Sequence, residues 1–184
     1  KIKLLVMSKV AVVTGASRGI GREICIELAD KGHHAIAVAR SEEPLNELAN
    51  TYPNISANPT DLRDQRDVDK LINQLRKDFT TVDILINNAG ALINKSFEEL
   101  TLDDWRSQLE SNLISAVHIT KKMLPLFSNE AHIVNISSMG GFQGSAKFPG
   151  LAAYSVAKGA LSILTECLSV ELSDKNIKAN ALCL

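Results

Sequence analysis

Short apolar runs alternate with longer amphipathic segments along nearly the whole chain. Runs rich in Val, Ile and Ala favour strands, and apolar residues recurring every three or four positions favour helices. We expect strands at residues 10–14, 35–39, 55–58, 82–87, 132–137 and 177–182. Between them we expect helices at residues 20–31, 42–51, 63–79, 102–127 and 151–173. The alternation predicts an α/β fold.

Two of the predicted strands are apolar at consecutive positions, at residues 10–13 and 84–86. This pattern is typical of strands that are covered on both faces, as in parallel sheets. Right-handed crossovers then place helices on both sides of the sheet. We predict a Rossmann-type, doubly wound parallel sheet flanked by helices on both faces, with residues 1–184 forming a single dinucleotide-binding domain.

The fourth predicted helix carries signals for both of its ends. Thr101 and Asp104 have the spacing of a capping box, which marks a helix start. Pro125 lies near the other end, where a proline kinks or terminates a helix.

Composition excludes several classes of partner. Twenty basic and 21 acidic residues give a formal charge of −1, which argues against nucleic acid binding. Three widely spaced cysteines, Cys25, Cys167 and Cys183, are expected to be small buried residues in a reducing compartment. The sequence contains no run of 18 apolar residues, so no membrane helix is predicted. The segment before Met7, the expected natural start, leaves no room for a signal peptide. A cytoplasmic location is therefore expected.

A glycine-rich segment, TGASRGIG at residues 14–21, follows the first strand and opens the first helix. Gly15, Gly19 and Gly21 allow a sharp turn, close approach of a pyrophosphate and tight helix packing, with the helix N-terminus facing the phosphates. The spacing is GxxxGxG and not GxGxxG. A glycine-rich turn without a ligand is the alternative interpretation.

The end of the second strand lacks the acidic residue that usually contacts the adenosine ribose in NAD enzymes. Arg40 and Ser41 occupy this corner, and Arg18 lies in the glycine loop. For either arginine alone, a solvated surface residue is the more common role, but the two together, without an acidic residue, favour the 2′-phosphate of NADP. Asp61, after the third strand, is a candidate for the adenine amino group or, alternatively, a helix cap.

The second half contains Tyr154 and Lys158, four residues apart and therefore on one helix face. An ammonium beside the phenol favours the phenolate, which makes Tyr154 a candidate proton donor. Ser138, at the end of the fifth strand, can hold a substrate oxygen, and a turn-forming serine is the alternative interpretation if Tyr154 is not nearby. Small residues at 87–90 let the backbone approach a cofactor ribose or stabilise the central strand.

Taken together, these residues resemble the short-chain dehydrogenase/reductase family in its TGxxxGxG subtype. The matching positions cover nearly the whole chain: residues 14–21, Asp61, residues 87–90, Asn112, Ser138, Tyr154, Lys158 and Asn180. The resemblance implies that Ser138 orients a carbonyl and that Tyr154 is the general acid or base. It further implies that Lys158 promotes ionisation of Tyr154 and binds the nicotinamide ribose, and that Asn112 holds a water that extends a proton relay.

We therefore predict an NADP(H)-dependent oxidoreductase that transfers a hydride between nicotinamide and a ketone or secondary alcohol. Reduction is the expected direction. The predicted catalytic residues are Asn112, Ser138, Tyr154 and Lys158. The predicted cofactor-binding residues are Gly15, Ser17, Arg18, Gly19, Ile20, Gly21, Arg40, Ser41, Asp61, Leu62, Asn88, Ala89, Gly90, Tyr154 and Lys158.

Two alternatives remain open. A non-catalytic NADP-binding regulator or redox-sensing scaffold would keep the fold, but the presence of serine, tyrosine and lysine favours an enzyme. A sugar-nucleotide epimerase or dehydratase shares the YxxxK pattern but normally has a different glycine spacing and a longer chain.

Two departures from the family pattern change the expected site. Ser138 and Tyr154 are sixteen positions apart, slightly more than is usual, and the loop 142–150 with Lys147 and Pro149 is expected to reshape the substrate mouth. Leu184 stands where the family commonly has proline. Because relatives continue through a substrate-covering segment, we expect the C-terminal part to be missing from this chain.

Partners and metals follow from the helices and histidines. Apolar residues beyond one inner face indicate that an outer helix face pairs with another subunit: Leu113, Val117, Leu161, Leu164 and Leu168. The family resemblance implies a homodimer or homotetramer through helices 102–127 and 151–173. The four histidines lie on different predicted elements, so no metal site is predicted: His33, His34, His118 and His132.

Overall fold

The computed structural model describes residues 8–184, so the expected start at Met7 lies outside the described residues. Its strands are β1 Val10–Thr14, β2 His34–Ala39, β3 Ile55–Pro59, β4 Val82–Asn87, β5 Phe127–Ser137 and β6 Lys178–Cys183. They form one sheet in the order β3-β2-β1-β4-β5-β6, and every neighbouring pair is parallel. The predicted Rossmann-type sheet is confirmed.

The helices are α1 Gly19–Asp30, α2 Glu42–Thr51, α3 Gln65–Asp78, α4 Leu102–Leu109, α5 Ser115–Met123 and α6 Ala152–Glu171. They bury the sheet between two apolar cores. One core includes Cys25, Leu45 and Leu48 from α1 and α2. The other includes Leu71 from α3 and Ile119 from α5. Burial on both faces explains why β1 and β4 are apolar at consecutive positions.

The strand order reverses between β1 and β4, which lie side by side at the centre of the sheet. Crossovers leave these two strands in opposite directions, so their carboxyl ends border a crevice in which ligands of such folds bind. The loops after all of the first five strands reach this edge of the sheet. It therefore collects the predicted site residues.

The predicted helix over residues 102–127 is confirmed at its start, but its α-helical part ends at Met123 and contains a π-helical turn. α4 begins as expected at the capping box, in which Thr101 and Asp104 exchange both hydrogen bonds. A π-helical turn, Glu110–Ile114, then separates α4 from α5, and a 3₁₀ turn that contains Pro125 follows. β5 starts at Phe127, five residues earlier than predicted, because the proline ends the helix and the chain is extended from there.

The cysteines predicted to be buried and the leucines predicted to form an outer helix face do not all lie where the sequence predicted. Cys25 is buried, and burial raises the pKa of its thiol to about 12, whereas Cys167 is exposed. Leu161 is buried, and Leu168 packs against a third, smaller apolar cluster that includes Ile133 of β5 and Ala179 of β6, so these two leucines do not form an outer face. Among residues 8–184, no helix combines the length and the apolar character needed to cross a bilayer.

Candidate active site

The three glycines of the loop after β1 have different physical roles. A Cβ on Gly15 would lie 2.8 Å from the Ala89 Cα, and one on Gly21 would lie 2.5 Å from the Asn88 Nδ2. These two glycines are therefore required by packing against the loop after β4. Gly19 has a positive φ of 56° and faces open space. The backbone there is accessible to a ligand.

The N-terminus of α1 is free to bind an anion. Arg18 precedes the helix without a capping side-chain hydrogen bond, and the first turn contains no acidic residue. The first amide groups of a helix lack partners within the helix and carry the positive end of its dipole. Among the other predicted contacts in this loop, Ser17 is half-buried and Ile20 is exposed. The structure thus presents uncapped amides beside Gly19 at the crevice.

Thr14 joins the glycine loop to the loop after β4. Its hydroxyl accepts hydrogen bonds from the backbone amides of Asn88 and Ala89, both at 3.0 Å, and donates to the carbonyl of Ile86 at 3.3 Å. The Asn88 Nδ2 donates in return to the Thr14 carbonyl at 3.0 Å. The two loops therefore form one rigid platform at the switch point.

The corner beyond β2 and β3 carries arginines and carboxylates, and Glu42 and Glu43 open α2 directly after Ser41. Arg40 and Ser41 are exposed and separate β2 from α2. Asp61 follows β3 and accepts hydrogen bonds from Arg63, which together with the positive charge of Arg40 lower the pKa of Asp61 to about 2. Leu62, the next residue, is buried.

Lys158 is a buried cation at the centre of the site, with only 4 % of its surface exposed. Its Nζ donates to the carbonyl of Ile136 at 2.7 Å and lies 5.9 Å from the ring centroid of Tyr154. A Cβ on Gly90 would lie 3.5 Å from this Nζ. Burial lowers the pKa of Lys158 from 10.5 to about 8. The ammonium therefore links α6 to β5 and lies beside the loop after β4.

The turn that begins at Ser138 rests directly on α6. A Cβ on Gly141 would lie 2.5 Å from the amide nitrogen of Gly159, and one on Gly140 would lie 3.0 Å from the Ser155 hydroxyl and 3.7 Å from that of Ser138. The Ser138 hydroxyl accepts the Gly140 amide at 3.2 Å. This contact holds Ser138 against the helical turn that also carries Tyr154.

The loop 142–150 is folded onto itself. Lys147 donates through its Nζ to the carbonyl of Phe142 at 2.6 Å and to the hydroxyl of Ser145 at 2.8 Å. The amide of Lys95, in the segment after β4, donates to the carbonyl of Gly150 at 3.1 Å. The extra residues of this loop therefore lie beside the segment that follows β4.

Asn112 lies in the π-helical turn and is buried. Its Oδ1 accepts from the amide of Ala91 at 3.2 Å, and its Nδ2 donates to the carbonyls of Ala91 and Gln108 at 2.8 and 2.9 Å. A Cβ on Gly90 would lie 2.6 Å from the Asn112 Oδ1. Asn112 thus supports the backbone beside Lys158.

Reasoning from the residues alone missed a buried polar ladder beneath the site. The Asn87 Nδ2 donates to Asn135 and Thr120, at 2.8 and 3.1 Å, and the Asn135 Nδ2 donates to Thr165 at 2.8 Å. Two asparagines at the carboxyl ends of adjacent predicted strands are the signal that could have revealed it. The ladder connects β4 and β5 to α5 and α6.

Comparison with known proteins agrees with this geometry. The family model for short chain dehydrogenases matches residues 9–184. The chain belongs to the short-chain dehydrogenase family. This family uses a nicotinamide cofactor, NAD or NADP.

Individual relatives extend the comparison. Oxidoreductase BOA17 of Botryotinia fuckeliana is 33% identical over 180 residues, which are 96% of this chain and 65% of that protein. An uncharacterized oxidoreductase of Staphylococcus aureus strain USA300 is 31% identical over 95% of this chain and 76% of its own length. A solved short-chain dehydrogenase from Streptomyces avermitilis superposes with a TM-score of 0.88 at 34% identity, covering 96% of this chain and 65% of that one. This short-chain dehydrogenase sequence thus spans 65–76% of the length of these three proteins.

The residues present fit a nicotinamide dinucleotide. The open backbone at Gly19 and the uncapped start of α1 suit a diphosphate. At the other end of the crevice, Lys158 holds a buried charge close to Gly90, where a side chain would intrude. The backbone at Gly19 therefore leaves room for a ligand, and Lys158 supplies a cation beside Gly90 at the other end.

Burial of Lys158 gives a testable effect on stability. Because its pKa is about 8 in the folded protein and 10.5 as the ordinary value, folding releases a proton between these pH values. The wild-type free energy of unfolding should therefore gain a contribution as pH rises from 8 to 10.5. Lys158→Met should lack this pH dependence, because it has no group that titrates. At pH 7 it should be more stable than the wild type by about 2 kcal/mol, which is the gain from removing the buried charge less the loss of the hydrogen bond to Ile136.

Urea unfolding at pH 7 and pH 10 measures this difference. The exposed Lys175 provides the matched control, and Lys175→Met should leave the free energy of unfolding and its pH dependence unchanged. Destabilisation of Lys158→Met at pH 7 with a wild-type pH dependence would contradict the burial argument.

Proposed function

We propose that this protein is an NADP(H)-dependent oxidoreductase that interconverts a small-molecule ketone and the corresponding secondary alcohol. The observation that carries the proposal is the buried Lys158 ammonium, which lies 5.9 Å from the Tyr154 ring and next to Gly90. A buried, unneutralised cation is costly and is usually kept for function. Its distance from the Tyr154 ring supports a shared role of the two side chains at one ligand.

Each residue of the site has a role in this proposal. The nicotinamide, when bound, supplies or accepts the hydride. Tyr154 gives its phenolic proton to the substrate oxygen in reduction and takes it back in oxidation. Ser138 donates a hydrogen bond to the same oxygen as negative charge develops. Lys158 stabilises the phenolate that remains and binds the nicotinamide ribose.

Asn112 acts at one remove from the substrate. Its side chain holds the backbone of Ala91 through two hydrogen bonds, and it borders Gly90 beside Lys158. We propose that it orders a water that connects Lys158 to solvent and so returns the proton to Tyr154.

The preference for NADP over NAD rests on charge at the adenosine corner. Arg40 and Ser41 occupy the end of β2, where an acidic residue would repel a phosphate, and Arg18 is exposed just before α1. Two guanidinium groups can each form charge-assisted hydrogen bonds to the 2′-phosphate. Because NADPH pools are generally kept reduced, we propose carbonyl reduction in the cytoplasm as the physiological direction.

Titration with NADPH and NADH, followed by NADPH oxidation against a panel of carbonyl compounds, tests this function. We expect at least tenfold tighter binding of NADPH, in line with the loss of a charge-assisted contact. Tyr154→Phe should keep NADPH binding within about twofold and lower kcat by at least a hundredfold, because it removes the proton donor.

The contrary results separate the parts of the proposal. Equal or tighter binding of NADH would contradict the roles of Arg18 and Arg40. Full turnover in Tyr154→Phe would exclude Tyr154 as the proton donor. NADPH binding without turnover of any carbonyl compound would favour a nucleotide-binding regulator.

We also propose that two or four copies assemble through α6 and the adjoining α4–α5 segment. Val156, Ile163 and Val170 recur every seven residues along α6 and are 52%, 63% and 73% exposed. Such a stripe lies along one side of the helix and favours helix pairing.

Sedimentation equilibrium should show a dimer or tetramer that Ile163→Glu dissociates. A wild-type monomer at tens of micromolar would contradict this assembly.

A further inference from the structure

Asp61 and Arg63 form a closed pair just after β3. The backbone amide and the Nε of Arg63 both donate to the Asp61 Oδ1 at 3.0 Å, and a terminal nitrogen of the guanidinium donates to the Oδ2 at 2.6 Å. The two residues are only partly exposed, with 29% of the Asp61 side chain and 44% of the Arg63 side chain accessible. The guanidinium therefore forms hydrogen bonds to both oxygens of the carboxylate.

The hydrogen bonds from Arg63 leave one lone pair of the Asp61 carboxylate able to accept a further hydrogen bond. Each carboxylate oxygen has two lone pairs. Both lone pairs of the Oδ1 are occupied by Arg63, whereas the Oδ2 accepts a single N–H from it. Asp61 can thus accept one further hydrogen bond, through its Oδ2, and the orientation of that bond is fixed by Arg63.

The position of the pair places this acceptor at the adenosine corner. The amide of Thr60 donates to the carbonyl of Ala39 at 2.8 Å, so the ends of β2 and β3 lie together. The positive charge of Arg40 acts on Asp61, and the negative charge of Glu110 acts on Arg63 from the π-helical turn. The Asp61 carboxylate, held by Arg63, therefore borders the place where we propose that NADP(H) binds.

We propose that Arg63 is a positioning residue for recognition of the base: it orients the Asp61 Oδ2 to accept the exocyclic amino group of adenine. This inference rests on the proposed function, because it requires a nicotinamide dinucleotide at the crevice. Arg63 acts through Asp61 and contributes to selectivity for the base. Since exposed ion pairs contribute little to stability, its removal should change base selectivity more than folding.

The test compares NADPH with its hypoxanthine analogue, in which an oxo group replaces the adenine amino group. The two ligands share the 2′-phosphate, so the ratio of their dissociation constants reports the base alone. We expect the wild type to bind NADPH about tenfold more tightly than the analogue, as measured by nicotinamide fluorescence. Arg63→Met should reduce this ratio to about threefold or less.

Three further variants make the comparison specific. Arg66→Met removes the same charge three residues away and should keep the wild-type ratio. Arg63→Lys retains the charge but loses the two-point grip, and it should give an intermediate ratio. Asp61→Asn should bring the ratio to about one, because an amide can either accept from the amino group or donate to the oxo group.

The outcomes separate this inference from the function on which it rests. If the wild type binds NADPH and discriminates against the analogue, but Arg63→Met retains or increases the wild-type ratio, the role of Arg63 is wrong and the proposed function stands. A wild-type ratio near one would overturn the role of Arg63 together with base recognition by Asp61. Absence of NADPH and NADH binding would overturn both proposals. Circular dichroism checks that each variant is folded. If Arg63→Met is not folded, the ratio measured for Arg63→Lys decides whether Arg63 has the proposed role.

Discussion

The parallel pairing of β1 with β4 is the constraint on which the rest of the site depends. It places two loops that are about seventy residues apart in sequence at the same edge of the sheet. Thr14 then fixes them to each other by accepting two amides of the second loop. Gly15 and Gly21 are needed because the loops approach so closely that side chains there would collide. The open crevice beside Gly19 is a consequence of this packing.

The second half of the site depends on a different kind of contact, in which polar groups are buried beneath the crevice. The Asn87–Asn135–Thr165 ladder joins two central strands to α6 through the Nδ2 atoms of the two asparagines, and it leaves the buried Asn87 Oδ1 without a hydrogen-bond partner. Lys158, on the same helix, has an uncharged carbonyl as its hydrogen-bond acceptor and keeps its charge at a cost to stability. The ladder and the glycine contacts of residues 140 and 141 with α6 hold that costly ammonium in place.

Much of the fold could be predicted because local patterns and tertiary structure agree. The strands are short apolar runs, and the glycine loop and the capping box at Thr101 are encoded by a few adjacent residues. The π-helical turn at Asn112 could not be predicted from periodicity, because apolar residues three and four positions apart do not indicate where a single i→i+5 turn occurs. The burial of Lys158 depends on contacts between distant segments. Arg63 was predicted to be helical, but Asp64 caps α3 instead and leaves Arg63 free to turn back to Asp61.

A crystal structure of the protein with NADP⁺ bound would test most directly that the two halves form a single dinucleotide site. The account predicts the diphosphate at the first amides of α1 beside Gly19, the 2′-phosphate in contact with Arg18 or Arg40, and the nicotinamide ribose in contact with Tyr154 and Lys158. A nucleotide bound away from the crevice between β1 and β4, or one whose nicotinamide ribose contacts neither Tyr154 nor Lys158, would contradict it.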